Sequence, residues 1–568
     1  MDADTGVRQA LWAPQWIDRV FPPRGGRDHL GVGSVTSDQI LPLLSPGINV
    51  LTVHPRYHSF YVFLLDEFWK RDRLRTAASW RAFFRPREYM YSVAAHLAGH
   101  ASRWPEHVGM AGIVGAGTTV GLAAEAASSY APMADYIKSS LGGYGLYYRS
   151  VMAELEVIYV GGPGYPTPVD VPSDRVGKHL AEAFRTAVRE TTYYRQYFDA
   201  DDAVVPREVL EEYADAACLC RLSAADAPDR SMLLDVFLRG GDERSALARR
   251  STLRFVLDLA DQTQGHALSQ DAFRQLIYFR SADNGASYAP KDACADSAVA
   301  WRTYQLREYF NYALNSMWRA VCDFGYDHGG DVVPVDTRQL REHVAASLDM
   351  DALAQRHGLQ PPGLGPDSDL GAVVDWVEDV VRASTSSYRD PFDLTAPMHE
   401  RSLMRAAMRD ERDDIDGFTG MVALLLALFA RLRSVDASEP QAMRLLSLGI
   451  DGRLPILGSD HAFMNRLRER LASRSTLAAY VQWLVDDHII LQHQVVASQK
   501  LPDDTYRFRQ EARTLRFFQF ENQIDQRNSR FDALSTTVAE LGLCTRLDAP
   551  GHVLLPDGLE LLSRGDLG

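Results

Sequence analysis

Hydrophobic positions along this chain recur mostly at the spacing of an α-helix. In the stretch RYHSFYVFLLDEFW, five apolar residues follow the i, i+3, i+4, i+7, i+11 pattern of one helix face: Tyr57, Phe60, Tyr61, Leu64 and Phe68. Pro55 stands just before them, where the first turn of a helix tolerates proline. The pattern predicts a long aromatic helix that begins close to Pro55.

Two further apolar segments predict buried helices. The segment WRTYQLREYFNYALNSMWRAVCDF, from Trp301 to Phe324, is apolar around almost its whole circumference, which is typical of a central helix. GMVALLLALFA, from Gly420 to Ala430, is about half as long as a membrane-spanning helix. We therefore expect a core helix there and no contact with a membrane.

Three stretches rich in Gly, Pro, Ser and Asp interrupt the helical pattern, and they predict linkers at residues 161–174, 281–297 and 358–371. Just before the first linker, MAELEVIYVGG has the β-branched and aromatic content of an isolated strand. A chain of 568 residues is too long for one core. We predict four domains: helical domains at 1–160, 175–357 and 371–470, and a C-terminal module at 471–568.

The C-terminal hundred residues have a different pattern. TYRFR (505–509) alternates as a strand would, with Tyr506 and Phe508 on one face and Arg507 and Arg509 on the other. A helix with a capping box at Ser529 and Asp532 and a stop at Gly542 follows. CTRLDAPGHVLL then predicts a hairpin, and PDGLELLSRG predicts a closing helix. This order resembles a winged-helix domain, so the predicted fold is mainly α, multi-domain and helical, with a C-terminal winged-helix-like α+β module.

The overall charge limits the classes of function. A formal net charge of −15 argues against a protein that coats nucleic acid through bulk positive charge. The five cysteines lack paired spacing, as expected for reduced thiols, and the first residues have no signal-peptide pattern. These features predict a cytoplasmic protein.

No cofactor or metal motif stands out in the sequence. A P-loop pattern is absent, and Gly115, Gly117 and Gly121 do not fit the spacing of a dinucleotide-binding loop. The acidic segment around Asp413, Asp414 and Asp416 lacks the obligatory EF-hand ligands, and C-x-C at Cys218 is not a zinc knuckle. We expect no cofactor and no metal site.

Basic and aromatic residues alternate between positions 500 and 530. Seven basic residues face five acidic ones in this stretch, a net charge of +2 in an acidic chain. The aromatic residues there fit a core or a base-stacking surface. Six cations are the predicted nucleic-acid-binding residues: Lys500, Arg507, Arg509, Arg513, Arg516 and Arg530.

The predicted winged helix itself fits DNA reading poorly. It offers Arg530, Ser535 and Thr536 beside the acidic Asp532 and Glu540, whereas base edges are usually read by Arg, Lys, Asn or Gln. Contact with a partner protein is therefore an equally good use of this module.

The stretch RDHLGVGSVTSDQILPLLSPGINVLTVHPRYHSFYVFLLDEFW (27–69) resembles the opening of an uncharacterised family of large bacterial proteins. The family shares an RDxLGxxS motif, a PG step and an RYxxF motif, and it is often encoded among anti-phage defence genes. The matching residues here are Arg27, Asp28, Leu30, Gly31, Ser34, Pro46, Gly47, Arg56, Tyr57 and Phe60. No activity is established for that family, so the resemblance implies a setting and no mechanism.

Arg56 is unusual because it begins a helix, where the helix dipole disfavours a positive charge. A carboxylate such as Asp28 would satisfy it in a buried ion pair that holds the start of the chain on the aromatic helix. The alternative is contact with a ligand phosphate.

Together these features predict a non-catalytic subunit of a bacterial defence-type assembly. It would contact DNA or a partner protein, such as a helicase or nuclease, through its C-terminal module. The alternative is an enzyme, such as a divergent metal-dependent nuclease, with a site that the sequence does not reveal.

Overall fold

A computed structural model describes most of the chain. The described residues are 28–100, 111–125, 127–133, 135–224, 226–330, 333–382, 387–409, 413–450, 452–500, 506–518 and 524–567.

The described chain is mainly helical, as predicted. Its α-helices are α1 Val32–Ser34, α2 Leu41–Leu44, α3 Arg56–Lys70, α4 Ala77–His100, α5 Ala116–Ala124, α6 Arg149–Glu154, α7 Gly177–Val188, α8 Arg207–Ala217, α9 Arg230–Arg239, α10 Glu243–Gln262, α11 Gln270–Phe279, α12 Ala295–Asp327, α13 Thr337–Ala346, α14 Met350–Arg356, α15 Leu370–Val381, α16 Glu400–Ala407, α17 Gly420–Leu432, α18 Pro440–Leu446, α19 Phe463–Ala472, α20 Leu477–Trp483, α21 Gln492–Gln499, α22 Phe531–Glu540 and α23 Pro556–Arg564. Wider π-helical turns occupy Val35–Ile40, Tyr144–Tyr148, Tyr193–Tyr197, Ile415–Thr419 and Leu484–Leu491.

The strands are short and antiparallel. They are β1 Ser129–Tyr130, β2 Ile158–Tyr159, β3 Val171–Pro172, β4 Val205–Pro206, β5 Val335–Asp336, β6 Phe508–Glu511 and β7 Thr514–Phe517. β1 pairs with β4 and β2 with β3, and the remaining three form a sheet in the order β5-β7-β6.

The chain divides into two compact units, each built from three separate segments. Unit 1 takes the described parts of Met1–Leu41, Arg274–Ala282 and Ala298–Arg527. Unit 2 takes those of Pro42–Phe273, Asp283–Ser297 and Asn528–Gly568. This division differs from the four consecutive domains predicted from the linkers, and those domain boundaries stay a prediction.

The core of unit 1 forms around α12 and α17, as their apolar sequences predict. Almost every side chain of α12 between Ala298 and Phe324 is buried, and α17 is buried from Gly420 to Phe429. Ile415–Leu432 is long and apolar enough to cross a membrane by length and composition alone, with a mean hydropathy of 1.7. Because 89% of this segment is buried, it also fits the core helix that the sequence predicts.

Unit 2 contains the aromatic helix α3. It begins at Arg56, one residue after Pro55, and it is buried from Arg56 to Phe68. Phe60 stacks on Tyr91 of α4 with ring centroids 3.9 Å apart. The helical pattern of this segment therefore predicted both its start and its burial.

The strand predicted at MAELEVIYVGG is mostly wrong. Residues up to Glu154 belong to α6, and β2 contains only Ile158 and Tyr159. Gly161 then approaches the backbone of Val169 so closely that a Cβ would lie 2.2 Å from the Val169 carbonyl carbon. The short pairing with β3 ends where the chain turns at this contact.

The structure contains only part of the predicted winged-helix order of helix, hairpin and closing helix. α22 ends before Gly542, which has φ +75°, and α23 begins at Pro556, as predicted. The capping box is wrong because Arg530, with φ +61°, precedes α22 and no side chain caps it. Between the two helices, the predicted hairpin is a single bridge between Cys544 and Leu554. The structure therefore shows two helices and a bridge, and the hairpin β6–β7 belongs to unit 1.

Two buried histidines predict how stability depends on pH. His58 lies between Tyr148 and Phe237 in unit 2, and His488 lies beside Phe463 and Trp483 in unit 1. Burial lowers the pKa of His58 from 6.5 to about 4 and that of His488 from 6.5 to about 3. Both rings are therefore neutral in the folded protein at neutral pH.

We expect the free energy of unfolding to fall as the pH decreases from about 6.5 toward 4, because the unfolded chain then binds protons that the folded histidines exclude. Each excluded proton should contribute a loss of about 1.4 kcal/mol per pH unit. Urea denaturation at pH 7.5 and 5.0 would measure the loss. His488→Leu should weaken the pH dependence of unit 1, and an unchanged dependence would contradict this assignment.

Candidate nucleic-acid interface

The clearest surface feature among the predicted site residues is the hairpin formed by β6 and β7 in unit 1. Its strands pair Phe508 with Phe517 and Arg509 with Arg516, and residues 512 and 513 form the turn. Because strand side chains alternate between faces, Phe508, Leu515 and Phe517 are buried on one side. Arg509 and Arg516 share the opposite face.

This outer face is positively charged. Arg509 and Arg513 are exposed, and the Arg516 side chain is 37% exposed. Glu511 is the one acid between Phe508 and Phe517, and its Oε1 is 3.8 Å from Arg516 Nε. Like charges directly opposite each other on paired strands are destabilising. The hairpin therefore carries a net charge of +2 in an arrangement that strand pairing alone does not favour.

The free edge of β6 is covered by a side chain of α21. Gln494 Nε2 donates to the Phe508 carbonyl at 3.0 Å, and Gln494 Oε1 accepts from the Gln510 N–H at 3.2 Å. These two bonds replace the ladder that a neighbouring strand would form. They hold the hairpin on α21 with its arginine face outward.

His493, the preceding residue, fixes the entry into β6. Its Nε2 accepts from the Arg507 N–H at 3.0 Å, and its Nδ1 bonds the His29 carbonyl at 3.1 Å. This pair of partners requires a neutral ring with the proton on Nδ1. Burial lowers the pKa of His493 to about 4, which favours that neutral form.

The RDxLG segment in turn holds α21. Successive carbonyls of Asp28, His29 and Leu30 accept from Lys500 Nζ at 2.6 Å, His493 Nδ1 at 3.1 Å and Gln492 Nε2 at 2.9 Å. Gly31 has φ +72°, and a Cβ there would lie 2.8 Å from Ile450 Cδ1, so both the backbone and the packing favour glycine. Arg27 lies outside the described residues.

The carboxylate of Asp28 stabilises its own loop. Its Oδ2 accepts from the Ser34 N–H at 2.9 Å and from Ser34 Oγ at 3.1 Å. Arg527 Nη2 lies 3.6 Å from the same oxygen. The motif residues Asp28 and Ser34 therefore have a structural role.

Three of the six predicted nucleic-acid-binding cations are not on this outer face. Lys500 is buried against the Asp28 carbonyl, and burial lowers its pKa to about 8. Arg507 precedes β6 and is half-buried, and its charge, together with burial, lowers the pKa of His29 and His493. It therefore does not project together with Arg509 as expected. Arg530 is buried in unit 2, where its Nη1 donates to the carbonyls of Ser45 at 3.0 Å and Ile48 at 2.6 Å. The exposed subset is Arg509, Arg513 and Arg516.

Arg56 is buried and its guanidinium is hydrogen-bonded, but the predicted partner, Asp28, is wrong. Its guanidinium bonds both carboxylate oxygens of Asp229 at 3.2 Å, and its Nη1 donates to the Cys218 carbonyl at 2.7 Å. Asp28 belongs to the other unit. Because Asp229 is itself completely buried, this arginine supports the fold of unit 2 and faces no ligand space.

Tyr57 and the glycine-rich segment lie together in unit 2. Tyr57 Oη accepts from the Val114 N–H at 2.8 Å, and Gly115, with φ +81°, precedes α5. A cleft of about 380 Å³ runs along this segment and is lined by apolar side chains such as Val50, Leu51 and Ile137. None of the described residues that line it is charged, so among them the segment lacks the cation that nucleotide phosphates usually require.

The acidic segment lies against two basic side chains of unit 1, Arg356 and His343. Arg356 bonds Asp413 and lies 2.9 Å from Asp416, and His343 lies 3.1 Å from Asp414. The part of the chain that the structure describes brings together no three His, Cys, Asp or Glu residues that could hold a metal ion.

Sequence reasoning did not identify Gln494 or His493 as supports of the hairpin. An isolated glutamine or histidine on a helix carries no local signal, because the role of each depends on which strand packs beside it.

No family model matches this chain, and neither a curated protein nor a solved structure matches it.

A double-mutant cycle would test the assignment of Arg56. We expect Arg56→Ala to destabilise unit 2 by about 3–5 kcal/mol, because it leaves the Asp229 carboxylate buried and unpaired. Asp229→Ala should do the same, and the double variant should cost clearly less than the sum. Urea denaturation would measure the three changes.

The control cycle pairs Arg56→Ala with Asp28→Ala. The effects of these two changes should add, because the residues belong to separate units and share no partner. Coupling between Arg56 and Asp28 would support the sequence-based expectation against the structure.

Proposed function

We propose that this chain is a non-catalytic, helix-rich subunit of a bacterial defence-type assembly and that the hairpin β6–β7 contacts DNA phosphates. The observation that carries the DNA contact is the cross-strand pair Arg509 and Arg516 on the outer face, with the exposed Arg513 at the turn. A bound anion would relieve the repulsion between these side chains.

The chemistry of the hairpin favours phosphates over base edges as its target. Three arginines beside a single glutamate offer charge and forked N–H donors, which suit phosphate oxygens. Binding of this kind is independent of sequence and depends strongly on salt. It is compatible with an acidic chain because the positive charge is local.

Support from α21 keeps the hairpin pre-organised. Gln494 bonds the edge strand β6 and His493 bonds the Arg507 N–H just before it, while Phe508 and Phe517 pack inside with ring centroids 5.4 Å apart. Less ordering is therefore required when an anion binds, and that reduces the free-energy cost of association.

A second candidate function, docking of a partner protein, is favoured by α22 and α23. Arg530 and Glu540 are buried, with Glu540 Oε1 2.7 Å from His54 Nδ1, so neither is available to DNA. Asp532 remains exposed on α22, and Leu559 is 52% exposed on α23. In this proposal the two helices form a winged-helix-like module that binds protein, such as a helicase or nuclease subunit.

Purification of the tagged chain from its native host would test the docking candidate. A helicase or nuclease that co-purifies with the parent but not with an Asp532→Arg/Leu559→Arg variant would support it. Equal recovery with both chains would contradict the use of this surface.

The enzyme alternative has a direct test. Purified protein would be incubated with plasmid and either Mg²⁺ or Mn²⁺. We expect no cleavage above that of a mock purification. Cleavage abolished by a single carboxylate substitution would contradict the non-catalytic proposal.

The DNA contact predicts a change in salt dependence. Replacing Arg509 and Arg516 with Ala should weaken binding to duplexes of different sequence about equally. Each lost phosphate contact contributes roughly 0.9 to the log–log salt slope, so the slope should become shallower by about 1.8. The melting temperature should stay the same or rise, because the cross-strand repulsion is removed. Fluorescence anisotropy across a salt series would measure the slope.

Two control variants separate charge from folding. Arg195 is 59% exposed in unit 2 and pairs with Glu190, so Arg195→Ala should leave the salt slope unchanged. Phe508→Ala should instead lower stability by about 3–5 kcal/mol, because Phe508 is completely buried. Unchanged affinity and slope in Arg509→Ala/Arg516→Ala would overturn the hairpin proposal.

A further inference from the structure

Helix α19 in unit 1 presents a second concentration of arginines. Its buried face consists of Phe463, Met464 and Leu467. Residues 463–474 contain four arginines and one glutamate, a net charge of +3: Arg466, Arg468, Glu469, Arg470 and Arg474. This local charge is larger than that of the hairpin.

The spacing of these arginines is unfavourable for an isolated helix. Arg466, Arg470 and Arg474 are four residues apart, so the first two lie on one helix face and the third continues that line past the helix end. Like charges at this spacing repel each other. The helix dipole favours cations in the last turn, which accounts for Arg470, but it disfavours Arg466 in the first turn.

Few carboxylates neutralise this surface. Glu469 Oε2 lies 3.0 Å from Arg466 Nη1, and the Arg470 guanidinium lies over the Trp483 ring at 4.5 Å. Arg468 Nη1 donates to the neutral Asn465 Oδ1 at 2.6 Å. Among the described residues, no carboxylate forms an ion pair with Arg468 or Arg474, and both side chains are exposed.

The position of Arg474 is the most informative feature. The Ser475 N–H bonds the Arg470 carbonyl at 3.1 Å, and the Arg474 N–H bonds the Leu471 carbonyl at 3.1 Å. This is the Schellman pattern, in which the residue at Arg474 adopts a left-handed conformation and is usually glycine. Arg474 has φ +51°.

An arginine there costs about 1 kcal/mol relative to glycine. The fold therefore does not select arginine at this position. A residue that violates a local folding rule without an evident structural gain is a candidate for function.

We propose that α19 together with Arg474 forms a second DNA-contacting surface, which binds the phosphate backbone through Arg468 and Arg474. This inference rests on the proposed function and extends it to another element of unit 1. The helical rise separates Arg468 from Arg474 by about 9 Å along the axis. That length of duplex carries about two to three phosphates on each strand.

The test is the full-length double variant Arg468→Ala/Arg474→Gly, titrated with a mixed-sequence DNA duplex across a salt series. We expect weaker binding and a log–log salt slope that is shallower by about 1.8, since two phosphate contacts are lost. The melting temperature should stay the same or rise, because glycine relieves the left-handed backbone at position 474.

A charge-preserving substitution and the loss of an unrelated arginine are the controls. Arg468→Lys/Arg474→Lys keeps both charges and should retain the parent salt slope. Arg195→Ala removes an exposed arginine of unit 2 and should also retain it. A shallower slope in the lysine variant would indicate that charge is not the cause and would overturn the proposal.

The hairpin and α19 variants together distinguish the two proposals. If only Arg509→Ala/Arg516→Ala loses binding, the inference for α19 is overturned and the hairpin proposal remains. If only the α19 variant loses binding, the inference stands and the hairpin proposal fails. If the parent protein does not bind the duplex, or neither variant changes its binding, both are overturned.

Discussion

Buried arginine side chains supply hydrogen bonds that the irregular segments of both units would otherwise lack. A loop that packs into a core buries carbonyl groups, and each needs a donor. In unit 1, Arg302 donates to the carbonyl of Asp390 at 2.7 Å and Arg307 to that of Leu454 at 2.9 Å. In unit 2, Arg249 donates to the Pro46 carbonyl and Arg530 donates to the Ile48 carbonyl.

This use of arginine has an electrostatic cost. Burial lowers the pKa of both Arg302 and Arg307 to about 9, because few carboxylates face them. Arginine is suited to such sites because its charge is delocalised and its five N–H groups can serve several carbonyls at once. Arg56, which also bonds a buried carboxylate, combines the loop contact with an ion pair.

Whether an arginine bonds buried carbonyls also distinguishes structural arginines from candidates for binding. Arginines such as Arg530 are satisfied by backbone carbonyls inside a unit. Four others are exposed: Arg509, Arg513, Arg468 and Arg474. Arg509 also faces Arg516 across the hairpin, and Arg474 has a left-handed backbone. The RDxLG segment is linked to one of these surfaces, because its carbonyls hold α21 and α21 holds the hairpin. The motif therefore supports the proposed interface without forming part of it.

The sequence by itself determined the elements whose signals are local. Helical periodicity predicted α3, α12 and α17, while Pro556 and Gly542 correctly marked a helix start and a helix stop. The three arginines of α19 and Arg474 also stand close together in the sequence, but closely spaced cations do not reveal which of them lack partners. The tertiary structure alone decided those partners. Arg56 bonds Asp229, 173 residues away, and Glu540 is buried against His54, because packing brings distant segments together. Periodicity along one segment records which face is buried, but not which segment covers it.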